Sequence, residues 1–366
     1  MSKKLKVLMS GGGTGGHIFP AVAIAQEIQK RFPDAEFLFM GANGKMEMEK
    51  VPKAGYPIIG LPIAGINRSN MLANLGFPLK LISSLLRARK IVKDFHPDVA
   101  VGVGGYASGP LLLSASFANV PILIQEQNSY AGITNKFLAK NAKKICVAYP
   151  KMEQFFPASK IQMTGNPVRK DILNVASKRQ HAFEHFGLQP DKPTVLVIGG
   201  SQGAKTINES IDGGLTSLVN EGCQVVWQTG KLYIERAKTA AEVFKGKVYV
   251  SDFIYEMDLA YAMADIVVSR AGALSVSELC LAGKPSILVP LPTAAEDHQT
   301  KNAMSLVENN AAILVKDVHA REELVKVALD LLHDKQKQST LIDNILKLGK
   351  PNAAIEIAQQ VLSLVK

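Results

Sequence analysis

The stretch SGGGTGGHIFPAVAIA, Ser10 to Ala25, decides how this chain is read. It follows the apolar run LKVLMS and leads into an amphipathic pattern with Ile24, Ile28 and Phe32 at four-residue spacing. An apolar run, a glycine loop and a helical pattern in that order predict a strand turning into a helix. Glycines let a backbone turn tightly and let a ligand approach its amides. The helix that follows offers free N–H groups and a partial positive charge. Phosphate is the natural ligand of such a loop. Gly11, Gly13 and Gly16 match G-x-G-x-x-G, but the next strand ends Phe39-Met40-Gly41-Ala42-Asn43. It has no acid to take a ribose, which counts against a nicotinamide cofactor. His17 and Ile18 follow Gly16 where a P-loop needs Lys and a hydroxyl residue, so that reading fails as well. A helix N-terminus disfavours imidazolium, so His17 is either a base near neutral pH or a satisfied loop histidine.

The same alternation runs along the whole chain. AEFLFM, PDVAVGV, VPILIQ and KKICVAY read as further strands of the first half, and PTVLVIGG, CQVVWQT, KVYVSD, ADIVVSR and KPSILVP as strands of the second. Strands alternating with helices predict an α/β protein with parallel sheets. A chain of 366 residues exceeds one ordinary core, so two domains are expected. The seam falls at TGNPVRKDI, which gives domains of residues 1–164 and 165–348. The helical pattern over 352–366 suits either domain. Glycine-rich strand ends recur at VLVIGGSQGAK, VGVGGYASGP and VVSRAGALSVSE. Two open sheets with such loops would face a central cleft, and ligands bind outside the carboxyl ends of the strands.

Charge divides the halves. Residues 1–165 carry 20 Lys+Arg and 9 Asp+Glu, a net +11, while residues 166–366 carry 22 and 23, a net −1. The first half should therefore meet something anionic. No nucleic-acid motif or basic tail is present, so no nucleic-acid partner is expected. Between Met71 and Lys93, Leu72, Leu75, Phe77, Leu79 and Ile82 exceed what one buried face needs. Lys80, Arg87, Arg89 and Lys90 lie among them. That pattern suits an anionic membrane surface, or else a core helix with a solvated basic end. The uncharged stretch between Asp98 and Glu126 is broken by Gly102, Gly104, Gly105, Gly109, Pro110 and Pro121. It reads as buried strands and a helix rather than a membrane span. The N-terminus has no signal-peptide core and reads as the first strand. The three cysteines, Cys146, Cys223 and Cys280, lie far apart, with neither disulfide nor zinc spacing. His181-Ala182-Phe183-Glu184-His185 fits an inverted zinc-protease pattern, but it lies among Lys178, Arg179 and Gln180 with no third ligand evident.

Several motifs together carry a resemblance. GGTGGH (Gly12–His17), GGYASGP (Gly104–Pro110), EQN (Glu126–Asn128), GNPVR (Gly165–Arg169), GGSQGA (Gly199–Ala204) and AGALSVSE (Ala271–Glu278) stand in the order and spacing of the MurG family of glycosyltransferases. The resemblance implies a GT-B fold of two Rossmann-like domains, with the last helix, over 352–366, packing back on the first. It also implies inverting transfer of N-acetylglucosamine from UDP-N-acetylglucosamine to the C4 hydroxyl of the muramoyl sugar of lipid I, giving lipid II for peptidoglycan. By the family pattern Ser201, Ala273, Leu274, Ser275, Val276, Ser277, Glu278, Arg169 and Ile254 contact UDP, with Glu278 on the ribose. Gln299 and Asn128 reach the sugar, and Thr14, Gly15 and Gly16 complete the donor pocket. Gly13, Gly104, Gly105 and Tyr106 are acceptor-side candidates, and His17 is the candidate base. No cofactor is implied, and no carboxylate pair at a strand end suggests a metal. The enzyme would act peripherally on the cytoplasmic face of the inner membrane. A glycolipid synthase or nucleotide-sugar epimerase on the same fold, and a non-catalytic nucleotide-binding membrane module, are the alternatives.

Overall fold

β1 (Lys6–Ser10) runs through the glycine loop into α1 (Gly15–Arg31), the strand–loop–helix expected of the opening stretch. The computed structural model describes residues 4–63, 65 and 75–365. Leu72 of the expected membrane patch and Lys366 of the last helical pattern lie outside them. The chain divides into two units, Met1–Val168 with Asn352–Lys366, and Arg169–Pro351.

In the first unit the order continues with β2 (Glu36–Ala42), α2 (Glu47–Lys53), β3 (Ile58–Leu61), α3 (Phe77–Phe95), β4 (Val99–Gly102), α4 (Ser108–Phe117), β5 (Ile122–Glu126), α5 (Ile133–Leu138), β6 (Lys144–Val147) and β7 (Ile161–Met163). The seven strands form one parallel sheet in the order β3-β2-β1-β4-β5-β6-β7. Side chains alternate across it. Val7 and Met9 face one apolar cluster with Ile18, Ile24 and Ile28 of α1, while Leu8 faces another with Leu111, Leu112 and Ala88. Both faces are covered, which is why these strands read as near-continuous apolar runs. The stretch from Asp98 to Glu126 is accounted for by β4, α4 and β5.

The second unit holds α6 (Arg179–Phe186), β8 (Thr194–Ile198), α7 (Lys205–Asn220), β9 (Gln224–Gln228), α8 (Ile234–Ala241), β10 (Val248–Ser251), α9 (Met257–Met263), β11 (Ile266–Ser269), α10 (Ala273–Ala282), β12 (Ser286–Leu288), α11 (His298–Val307), β13 (Ile313–Leu314), α12 (Ala320–His333) and α13 (Lys335–Lys347). Its six strands are parallel in the order β10-β9-β8-β11-β12-β13. The last helix, α14 (Ala353–Leu362), belongs to the first unit. Its Ile357, Ala358 and Val361 join the α1 side of that core.

Each sheet reverses its strand order once, at β1/β4 and at β8/β11. The loops leaving the two strands there diverge to opposite faces and open a crevice, where ligands of such sheets bind. All the glycine-rich strand ends noted in the sequence lie at these two points. Three short edge strands, β3, β7 and β13, were not expected from the sequence. The His181–His185 motif lies on α6 with the His181 and Glu184 side chains 71% and 66% exposed. Among the described residues no group of three or more His, Cys, Asp or Glu could hold a metal ion, and no helix is long and apolar enough to cross a membrane.

Candidate functional site

At the β1/β4 crevice the two loops touch: the Gly12 amide donates to the Gly104 carbonyl at 3.4 Å. His17 sits in the first turn of α1, behind Thr14, whose extended backbone begins the helix. Its Nδ1 lies 3.1 Å from the Val103 carbonyl. A carbonyl only accepts, so Nδ1 carries a hydrogen, and in the neutral form of the ring the lone pair is on Nε2. A Cβ on Gly104 would stand 2.6 Å from the ring, so glycine is required there for the imidazole to lie against the loop. The Val103 carbonyl is itself held. It accepts from Gln127 Nε2 at 2.7 Å, and the Gln127 amide also donates to Gln125 Oε1 at 2.8 Å. Gln125 Nε2 in turn donates to Asn166 Oδ1, and Asn166 Nδ2 to the Gln127 carbonyl, both at 3.0 Å. A buried amide network thus fixes the tautomer of a half-buried histidine. That is the arrangement a general base needs.

Glu126, buried beside Gln127, accepts from the amides of Asn128 and Gly132 at 3.0 Å and from Asn135 Nδ2 at 2.8 Å. It shapes the turn that presents Asn128. Gly105 packs on the Gly12 carbonyl, where a Cβ would approach to 2.4 Å, and Tyr106 is about half exposed. The Gly13 N–H donates to Glu47 Oε2 at 2.8 Å.

On α3, Leu79, Ile82 and Leu86 form one exposed stripe, 73%, 55% and 65% accessible, continued by exposed Leu75. Lys80 and Arg87 flank it on one side and Arg89 on the other, with Lys90 extending it, all exposed. Phe77 departs from the expected patch. It is partly buried and packs on the core under α3, because it lies half a turn round from the stripe.

At the β8/β11 crevice a cavity of about 400 Å³ opens. Its wall includes Gly199, Gly200 and Gly203 of the second glycine loop, Gly272 and Ser275 at the start of α10, and Gln299 of α11. α10 begins at Ala273, and its N-cap Gly272 supplies no side-chain cap, so its first turn has the chemistry to meet an anion at that wall. Gln299 Oε1 accepts from the Leu291 amide at 3.0 Å, which turns its NH₂ group into the donor it can offer a ligand. Ser201 lies exposed on the loop, whereas Val276 is buried in the core and Ser277 donates to the Ala273 carbonyl at 2.9 Å. Leu274 is half-buried.

One turn along α10, Glu278 is largely buried. Tyr261 donates its hydroxyl to Glu278 Oε2 at 3.1 Å, and Arg169 Nε stands 3.8 Å from Oε1. Burial pushes the carboxyl up to about 6, while Arg169 and the Tyr261 hydroxyl pull the other way. Arg169 also donates to the Tyr255 carbonyl at 3.3 Å, which places it beside Ile254. Ile254 is 3% exposed, and its amide donates to Gln228 Oε1 at 3.0 Å.

Five residues escaped the sequence reading. Arg270 is 7% exposed, lines the cavity, donates to the Val289 carbonyl at 3.0 Å and pairs with Asp317. Asp317 accepts from Thr206 Oγ1 at 3.0 Å. The signal for Arg270 was a basic residue at a strand end just before AGALSVSE. Gln228, Tyr261 and Glu47 sit on other elements, and nothing in their local sequence marks them.

Two family descriptions match the chain: the glycosyltransferase family 28 N-terminal domain over residues 7–147 and the family 28 C-terminal domain over 194–360. A protein of Cytophaga hutchinsonii named UDP-N-acetylglucosamine–N-acetylmuramyl-(pentapeptide) pyrophosphoryl-undecaprenol N-acetylglucosamine transferase is 56% identical, over 99% of this chain and 98% of its own. The protein of the same name from Parabacteroides distasonis is 53% identical over 99% of both chains. Among solved structures, Acinetobacter baumannii MurG matches with a TM-score of 0.78 at 30% identity, covering 99% of this chain and 100% of that one. A UDP-N-acetylglucosamine 2-epimerase matches with a TM-score of 0.68 at 16% identity, which shows a common fold and nothing finer. With its two parallel-sheet units in a GT-B fold, the chain belongs to glycosyltransferase family 28.

Proposed function

We propose that the protein transfers N-acetylglucosamine from UDP-N-acetylglucosamine to the C4 hydroxyl of the muramoyl sugar of undecaprenyl-pyrophosphoryl muramoyl-pentapeptide. Identity of 56% over nearly the whole of a transferase of that name carries this reading. It favours transfer over epimerisation. The second unit holds the donor. The α10 amides and Ser275 take the diphosphate, Glu278 takes the ribose hydroxyls, Arg169 and the Ile254 turn take the base, and Gln299 takes the sugar. In the first unit His17 Nε2 accepts the proton of the C4 hydroxyl as that oxygen attacks the anomeric carbon. The bond from that carbon to the UDP oxygen breaks, UDP leaves with the electron pair, and the configuration inverts to β. General-base help of this kind is typically worth about 10²–10⁴-fold. Charge growing on UDP meets the α10 amides, with Arg270 behind them.

The α3 stripe supports peripheral attachment to an anionic membrane, on the cytoplasmic face where a nucleotide sugar is available. Its apolar side chains would enter the headgroup boundary while Lys80, Arg87, Arg89 and Lys90 meet the lipid phosphates. The test of function is UDP release with and without a short-chain acceptor analogue, in EDTA, for wild type and His17→Ala. Acceptor-dependent release that survives EDTA and falls at least 10²-fold in the variant is expected. Full activity in the variant would remove His17 from the base role, and no acceptor-dependent release would overturn the reaction.

A further inference from the structure

The first glycine loop already contains an anion. Glu47, the first residue of α2, is 1% exposed. Its Oε2 accepts from the Gly13 amide at 2.8 Å, and its Oε1 accepts from the Ala42 amide at the end of β2 at 2.9 Å. A Cβ on Gly12 would stand 2.3 Å from that carboxylate, and one on Gly41 2.5 Å from its Cγ. One glycine of a motif that looks built for phosphate, and another near the end of β2, are therefore explained by a side chain of the protein itself. Among the described residues no ion pair involves Glu47. Its charge is met by amide dipoles and by the N-terminus of its own helix.

We propose that Glu47 is a positioning residue: its carboxylate fills the anion cradle of the first glycine loop and holds that loop, and with it His17, in the reactive geometry. This rests on His17 being the base. Gly12 and Gly13 lead directly to Thr14 and the first turn of α1, and a Cβ on Gly11 would strike the His17 carbonyl at 2.4 Å, so loop and histidine are packed as one piece. A pyrophosphate cannot take the Gly13 amide while Glu47 holds it. The acceptor diphosphate must use other donors, and the loop remains shaped whether or not acceptor is bound.

The experiment removes the built-in anion and offers a small one back. In full-length Glu47→Ala, formate should bind in the vacated space. The amide resonances of Gly13 and Ala42 should shift saturably with formate, and those of wild type should not. The kcat should fall about 10²-fold, as a displacement of about 1 Å can cause. Formate should restore much of it, with the UDP-N-acetylglucosamine KM unchanged within about twofold. Glu47→Gln fills the space but turns an NH₂ group toward one of the two amides. It should lose activity, keep its melting temperature near wild type and ignore formate, and it serves if the alanine variant does not fold. A wild-type kcat in either variant overturns the proposal, as does loss of kcat in folded Glu47→Ala that formate does not repair at any concentration. The resonance shifts do not depend on what His17 does. Formate-responsive amides together with an active His17→Ala would refute the base and leave the filled cradle standing.

Discussion

Donor binding should fail in acid through one carboxylate. Glu278 is held at a pKa of about 6, first by burial and then by Asp171 pushing the same way, against Arg169 and the Tyr261 hydroxyl. Only the ionised carboxylate can accept from both hydroxyls of a ribose, so the binding-competent fraction is the ionised fraction. At pH 7.5 nearly all of it is competent and at pH 5 about one molecule in ten, so the apparent Kd should rise about tenfold between them. Each phosphorus of UDP-N-acetylglucosamine carries one ester and the shared anhydride oxygen, so its single acidic group stays ionised throughout and the ligand contributes no titration of its own. The assay is calorimetric binding of UDP-N-acetylglucosamine without acceptor, which keeps chemistry out of the measurement. Glu278→Gln should bind more weakly at pH 7.5 and show a flat profile. Tyr261→Phe removes a hydroxyl that lowers the Glu278 pKa, so its midpoint should move toward neutrality. Stability carries the same titration with a definite sign. The folded pKa lies above the ordinary 4.5, so the contribution is complete below 4.5 and is lost as pH rises through about 6, a loss of about 2 kcal/mol. Glu278→Gln should therefore be no less stable than wild type at pH 7.5. An acid limb that survives in Glu278→Gln would refute the assignment of the ribose carboxylate.

Gln228→Leu should raise the UDP-N-acetylglucosamine KM about tenfold with little change in kcat. It cuts a buried clasp between the Gly200 carbonyl and the Ile254 amide, each at 3.0 Å, and leaves both groups unpaired at about 1 kcal/mol or more apiece. Gly203→Ala should destabilise by at least about 2 kcal/mol in urea titrations, because its Cβ would stand 2.0 Å from the Thr229 carbonyl at φ +79°. Gly187→Ala at φ +65°, with nothing within 4 Å, should lose only the backbone strain of about 1 kcal/mol. Replacing Leu79, Ile82 and Leu86 together by Ser should abolish sedimentation with anionic vesicles while leaving the melting temperature unchanged. Reversing Lys80, Arg87 and Lys90 should weaken that binding by about 1 kcal/mol per charge in a salt-sensitive way. Unchanged sedimentation in both would assign the stripe to something other than lipid.

What could be read in advance depended on distance along the chain. β1, its loop and α1 are contiguous, and so are β11, its loop and α10, so strand, turn and helix signals reinforce one another and locate His17 and Ser275 in the first turns of the helices that follow. The α3 stripe was visible as an excess of leucines, but which of them face outward depended on packing. Phe77 turned inward and Leu86 outward for that reason. Tyr261 reaches Glu278 from α9, and Asp317 reaches Arg270 from beyond β13. Such pairs meet only because parallel strands bring distant helices to one end of a sheet, and no local pattern records them.

The two glycine loops show where motif reading stops. Both follow a central strand at a point where the strand order reverses, and both open a long helix. Their supports differ in charge. The first is held by the Glu47 carboxylate, which accepts from its Gly13 amide. The second is held by the Gln228 carboxamide, which donates to its Gly200 carbonyl. A carboxylate uses up an amide and adds a negative charge where phosphate would sit. A carboxamide that binds a carbonyl uses up no amide and adds no charge, so the second loop keeps its affinity for a diphosphate. One chain thus uses the same backbone device twice, once with a carboxylate on a loop amide and once with a carboxamide on a loop carbonyl. The choice is made by a single side chain more than twenty residues further along the chain in each case, on the next helix in the first unit and the next strand in the second.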